Sequence, residues 1–179
     1  MVGGVVVSGT YYYDSVAVPE PVQVSYPVVA VTELPISVAN AFVAAVDPDF
    51  YESGGTALTS SLITRQYLVI ASGAGAVDSS RVRVMASKFE DMYTKTEILG
   101  FYLNSADYGP GAVGLVAAAQ TYFHKPAARL TVAEAALLAV QLSADRPTAK
   151  VGWERVLDTM VERGWLSPAE RSKLTFPTV

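Results

Sequence analysis

The sequence contains no cysteine, so disulfides and thiolate metal sites are excluded, and its one histidine, His124, rules out a multi-histidine metal centre. Neither a metal nor a cofactor is expected. Basic residues are few and scattered: 13 Lys and Arg against 17 Asp and Glu give a net charge of −4, with no basic run to mark a nucleic-acid partner. Long apolar runs are missing too. Stretches such as Val5 to Val7 and Val28 to Val31 fall far short of the ~20 residues that a membrane-spanning helix needs. Met1 is not followed by the positively charged start of a signal peptide, and Gly3 to Thr10 is too short for a targeting core. That segment suits the outer end of a membrane anchor.

What is present is a chain of 179 residues, half of them apolar, enough for one domain with a sizeable core. Pro19, Pro21, Pro27 and Pro35 among valines suit an extended arm or edge strands over 11–35. Ile36, Ala39, Phe42, Val43 and Val46 then recur at helical spacing, and the helix should end near Pro48. Residues 56–70 read as a weaker helix carrying Leu58, Leu62, Ile63 and Val69, followed by a loop at Ser72-Gly73-Ala74-Gly75-Ala76. Val82, Met85, Phe89 and Met92 define one apolar face of the next helix, with Arg81, Arg83, Lys88, Glu90 and Asp91 on the others.

Three later segments open with a capping box, in which a hydroxyl and a glutamate three residues on satisfy each other's free backbone N–H groups. They start at Thr94, Thr131 and Ser167, paired with Glu97, Glu134 and Glu170. Ala112 to Phe123, rich in small residues, fits a closely packed helix, and Gly164 should close a helix over about 150–163. The pattern is predominantly α.

The stretch Lys95-Thr96-Glu97-Ile98-Leu99-Gly100-Phe101-Tyr102-Leu103-Asn104 matches a K-x-E-I-L-x-x-Y-L-N motif. It continues through Tyr108-Gly109-Pro110-Gly111, Ala117-Ala118-Ala119-Gln120-Thr121-Tyr122-Phe123 and Leu130-Thr131-Val132-Ala133-Glu134-Ala135-Ala136-Leu137-Leu138. In that order and spacing the chain resembles the family 51 peptidoglycan glycosyltransferases, the transglycosylase domain of class A penicillin-binding proteins, and its closing segment, Val156 to Leu166, is similar to actinobacterial members. The resemblance implies a mainly α, lysozyme-like lobe with a reduced small lobe. It also implies an anchor-proximal extended arm over 1–34, a transglycosylase-like helical domain over 35–179, and a place at the extracytoplasmic face of the plasma membrane. No penicillin-reactive motif is visible, since Ser172-Lys173 lacks the required spacing.

The family's reaction adds a sugar hydroxyl of one lipid-linked disaccharide to the anomeric carbon of a growing glycan and expels undecaprenyl pyrophosphate. A carboxylate takes the hydroxyl proton, and cations stabilise the leaving group. The resemblance puts the base in an E-D-x-x-F motif, matched here by Val46-Asp47-Pro48-Asp49-Phe50, so Val46 stands in the glutamate's place. The second glutamate, of an R-K-x-x-E motif, aligns with Val82. The intervening G-G-S-T-I-T-Q-Q-L survives as Gly54-Gly55-Thr56-Ala57-Leu58-Thr59-Ser60-Ser61-Leu62, without its glutamines, and its following lysine is Thr64 or Arg65. Gly54 comes almost directly after Tyr51, where the family inserts a long mobile segment; near the end Gly152 takes the place of an arginine before Trp153.

The expectation is therefore a glycosyltransferase-like domain with impaired chemistry, keeping contact with lipid II, a membrane surface or cell-wall synthesis proteins. Asp47 and Glu52 are the acids near enough to serve as a relocated base, though both also suit ordinary helix-end and loop roles. Lys95 and Arg81, with Arg83 and Lys88, suit a pyrophosphate as well as they suit a solvated helix face. Tyr102 and Asn104 are substrate-contact candidates whose motif positions also fit core and helix-end roles. A non-enzymatic interaction module is the remaining alternative.

Overall fold

The computed structural model describes residues 12–143 and 148–179. The segment Gly3 to Thr10 and the apolar run Val5 to Val7 lie outside the described residues. Among those described there is no strand ladder; the one isolated antiparallel bridge joins Asp107 and Val113. Helices account for the rest of the regular structure among those residues, in agreement with the mainly α expectation.

Helix α1, Ile36–Val46, begins after Pro35 and stops at Asp47, because Pro48 disfavours helical geometry in the residue before it. Ala39, Phe42, Val43 and Val46 are buried as the spacing predicts, whereas Ile36 at the first turn is 72% exposed. Helix α2 spans Leu62–Ser72 and starts later than the spacing suggested. Residues 54–59 instead form a turn closed by Gly54 N–H to the Thr59 carbonyl at 2.7 Å, with Thr56 and Thr59 hydroxyls bonding locally. Those side chains offer the backbone an alternative to helix. Leu58 is consequently 85% exposed. Ser61 caps α2, and Gly73 at φ 62° ends it in the left-handed conformation.

Helix α3, Ser80–Met92, buries Val82, Met85 and Phe89, but Met92 is its last residue and is 61% exposed. Helix α4, Lys95–Ser105, helix α6, Val132–Val140, and the single turn α8, Pro168–Arg171, open with all three expected capping boxes. Helix α5 is Leu115–Phe123. Gly114 before it holds φ 82°, and a Cβ there would lie 2.8 Å from the Asn104 carbonyl, so the position excludes a side chain. Helix α7 covers Ala149–Glu162, with Gly164 at φ 71° turning the chain so that Trp165 N–H reaches the Met160 carbonyl at 2.8 Å.

Two groups of helices share the core. Helices α1, α6 and α7 pack on one another, and α2 packs between α3 and α4. The arm is largely extended and lies across the second group, with a helical turn at 12–15 and a 3-10 turn at 31–33 that its prolines did not announce. Val16, Val29 and Leu34 reach the core. The arm is pinned by polar bonds: Lys88 Nζ to the Val16 carbonyl at 2.8 Å, Val22 N–H to Tyr67 Oη at 3.0 Å, and Tyr26 Oη to the Asn104 carbonyl at 2.9 Å.

Candidate functional site

The acids and cations singled out from the sequence do not converge on one centre. Part of the set meets at the head of α2. There the Asp47 carboxylate, at the end of α1, accepts the Leu62 N–H at 2.6 Å, and the Glu90 carboxylate from α3 accepts the neighbouring Ser61 N–H at 2.9 Å. Free N–H groups and the positive end of the helix dipole favour carboxylates at this place. Glu90 also accepts the Thr64 hydroxyl at 2.7 Å and stands 3.6 Å from Lys95 Nζ. Lys95 donates to Ser53 Oγ at 3.2 Å and lies 4.6 Å from the centre of the Phe50 ring.

Glu52 is exposed on the short loop beside this cluster. Its neighbour Asp49 pairs with Arg163, and that bond, reinforced by the charges of Asp49, Glu52 and Asp47, holds the guanidinium above its ordinary pKa. Tyr51 donates to Asn40 Oδ1 at 2.9 Å and packs edge-on against Trp165, and burial raises its hydroxyl pKa. Arg81 lies on the exposed face of α3 with no ion pair to any described residue, while Arg65 and Arg83 both pair with Asp78.

Tyr102 and Asn104 sit elsewhere. Tyr102 donates to Gln66 Oε1 at 2.6 Å, and burial pushes its hydroxyl well above the usual tyrosine pKa. It lines a hollow of about 300 Å³ that shares Asp107 and Gln141 with a second one of about 520 Å³ beside Gly109, Pro110 and Val113. Asn104 faces the arm: its Nδ2 donates to the Val29 and Gly100 carbonyls, both at 2.9 Å, and its Oδ1 accepts Val29 N–H at 3.0 Å. These three bonds use both N–H donors of the amide and one acceptor position of Oδ1, so the group clamps the arm to α4.

Val82 has no exposed surface and Val46 is 8% exposed. Both are core positions in this chain. Glu90, read from the sequence as part of a solvated face, is turned inward with a side chain only 4% exposed. The signal for it was present, because Val82, Ala86 and Glu90 follow each other at i+4 along one ridge and the first two are fully buried. Among the described residues no group of three or more His, Asp or Glu side chains is placed to hold a metal ion. None of the described helices is long and apolar enough to cross a membrane.

Comparison with known families matches residues 36–161 to the family described as Transglycosylase. Penicillin-binding protein 1A of Mycobacterium tuberculosis is 33% identical over 181 residues, covering 83% of this chain and 22% of that protein. The protein of the same name from Mycolicibacterium smegmatis is 34% identical over 182 residues, covering 83% of this chain and 23% of that protein. A biosynthetic peptidoglycan transglycosylase of Klebsiella oxytoca is 48% identical over 68 residues, covering 35% of this chain and 28% of that protein. The chain thus spans less than a quarter of the length of the two penicillin-binding proteins.

Proposed function

This chain belongs to the transglycosylase family of peptidoglycan glycosyltransferases, and from that premise we propose that it keeps the helical scaffold of a cell-wall glycan polymerase without a working general base. The observation that carries the reading is the pair of buried valines, Val46 and Val82, at the two places where the family's chemistry calls for glutamate. A valine takes no proton, and deprotonation of the attacking sugar hydroxyl is the step that a positioned carboxylate provides.

The nearby acids do not make good the loss. Asp47 is tied to the Leu62 N–H and Glu90 is enclosed, while Glu52 is an exposed loop residue beside Arg163. Further support comes from the length of the match: the alignment with the Mycobacterium tuberculosis relative runs over 181 residues yet takes in only 83% of a 179-residue chain. The relative therefore carries residues with no counterpart here, consistent with the short passage from Tyr51 to Gly54 as a site of loss. Lipid II or the membrane surface, and the cell-wall synthesis proteins around it, remain the partners of such a domain at the cell envelope.

The test is to incubate the purified chain with fluorescent lipid II beside an intact family enzyme and resolve the products on a gel. No polymer is expected from this chain. Polymer that disappears in Asp47→Ala or Glu52→Ala would instead establish a relocated base. Capture of a cell-wall protein without any lipid II binding would favour the interaction-module reading.

A further inference from the structure

Glu90 is a carboxylate enclosed at the junction of α2, α3 and α4, with one oxygen saturated and the other empty-handed. Its Oε1 takes the Ser61 N–H and the Thr64 hydroxyl and faces Lys95. Its Oε2 is buried without a hydrogen-bond partner. Gly54 is packed directly against that oxygen, since a Cβ added there would lie 3.1 Å from Oε2, and Gly54 also holds φ 124°. A buried polar atom left unpaired works against folding, so the placement calls for a reason other than helix capping.

Lys95 supplies one. Its side chain is 25% exposed although it sits in the first turn of α4, and its contacts point inward, to Ser53 Oγ, the Phe50 ring and the Glu90 carboxylate. These partners come from the 50–53 segment and from α3. The ammonium thus joins the loop before α2 to the helix behind it.

We propose that Glu90 is a positioning residue acting through Lys95: its enclosed carboxylate draws the ammonium in under the 53–60 loop and holds that loop on α3 and α4. The proposal concerns placement within the fold and holds whether or not the chain transfers sugars.

The test uses the full chain without lipid II: brief acylation of lysines by a small N-hydroxysuccinimide ester under native conditions, read residue by residue by mass spectrometry. In the wild type Lys95 should react about tenfold more slowly than the exposed Lys150 and Lys173, because its ammonium is held charged against Glu90 and bonded to Ser53 and must leave them to react. Glu90→Gln keeps an oxygen to accept from Ser61 and Thr64 but removes the charge, so Lys95 should speed up several-fold while Lys88 stays unchanged. Ser53→Ala, which leaves Glu90 in place, should alter the Lys95 rate far less and provides the comparison if Glu90→Gln does not fold. Three results would overturn the proposal. One is a wild-type Lys95 as reactive as Lys173; another is a Glu90→Gln protein with a lower melting temperature but an unchanged Lys95 rate. The third is a Ser53→Ala rate as high as that expected for Glu90→Gln.

Discussion

On the reading proposed above, valines stand between Pro35 and Met92 at both places where the family's chemistry calls for glutamate, whereas between Thr94 and Leu166 the residues of the matched motif are present and mostly engaged in the fold. Glu97 and Glu134 close capping boxes, Asn104 clamps the arm, and Tyr102 is bonded to Gln66. The difference teaches that the second stretch was matched so well for reasons of folding. Its polar side chains satisfy helix ends and a crossing segment, duties that do not depend on any chemistry. In the proposed reading the first stretch is where the reaction's own groups would stand, and there Val46 and Val82 are buried. In that reading fold and activity separate along the chain.

Substitutions that exchange the character of the two stretches should break or sharpen this contrast. The largest effect is expected from Val82→Glu, which places an unpaired carboxylate at a position with no exposed surface. It should cost about 3–5 kcal/mol in chemical denaturation, the cost of an uncompensated buried charge. A loss below about 1 kcal/mol would mean that the position opens onto water, and the contrast would fail. Next comes Asn104→Ala, which removes two side-chain bonds joining α4 to the arm at Val29 and a third within α4 to the Gly100 carbonyl. A loss of about 2–3 kcal/mol is expected, at roughly 1 kcal/mol for each bond, with faster proteolysis of the arm. Thr131→Ala, removing one capping hydroxyl, should cost about 1 kcal/mol.

The smallest effect is one of pH. Burial pushes the Glu134 pKa up, but the Lys125 ammonium at 2.6 Å and the Thr131 N–H and hydroxyl outweigh it and hold the carboxyl below its ordinary 4.5. Glu97 and Glu170 are lowered by their capping bonds to Thr94 and Ser167. A carboxyl whose folded pKa is depressed contributes stability that is present above the unfolded value and is lost as pH falls through the folded one. The melting-temperature gap between wild type and Thr131→Ala should therefore be constant near neutrality and narrow below pH 4.5.

Much of this was legible in the sequence. Capping boxes are local, so Thr94, Thr131 and Ser167 announced their helices without help from tertiary structure, as did the apolar spacing of α1. What escaped was decided by neighbours distant in sequence. Glu90 shares a helix ridge with Val82 and Ala86, but the Ser61 N–H and Thr64 hydroxyl that receive it lie 29 and 26 residues away, and Asn104 serves an arm that lies 75 residues upstream. The start of α2 was misjudged because threonine hydroxyls in the 54–59 turn compete with helical bonds, an effect that apolar spacing does not register.

The central claim is that the chain lacks a base for glycan polymerisation, and its most direct test is a reaction run with protein in molar excess over fluorescent lipid II for many hours. The account predicts that the starting disaccharide persists with no longer glycan at any time. Polymer that forms in a preparation free of other transglycosylases, and that is lost on changing Asp47 or Glu52, would contradict it.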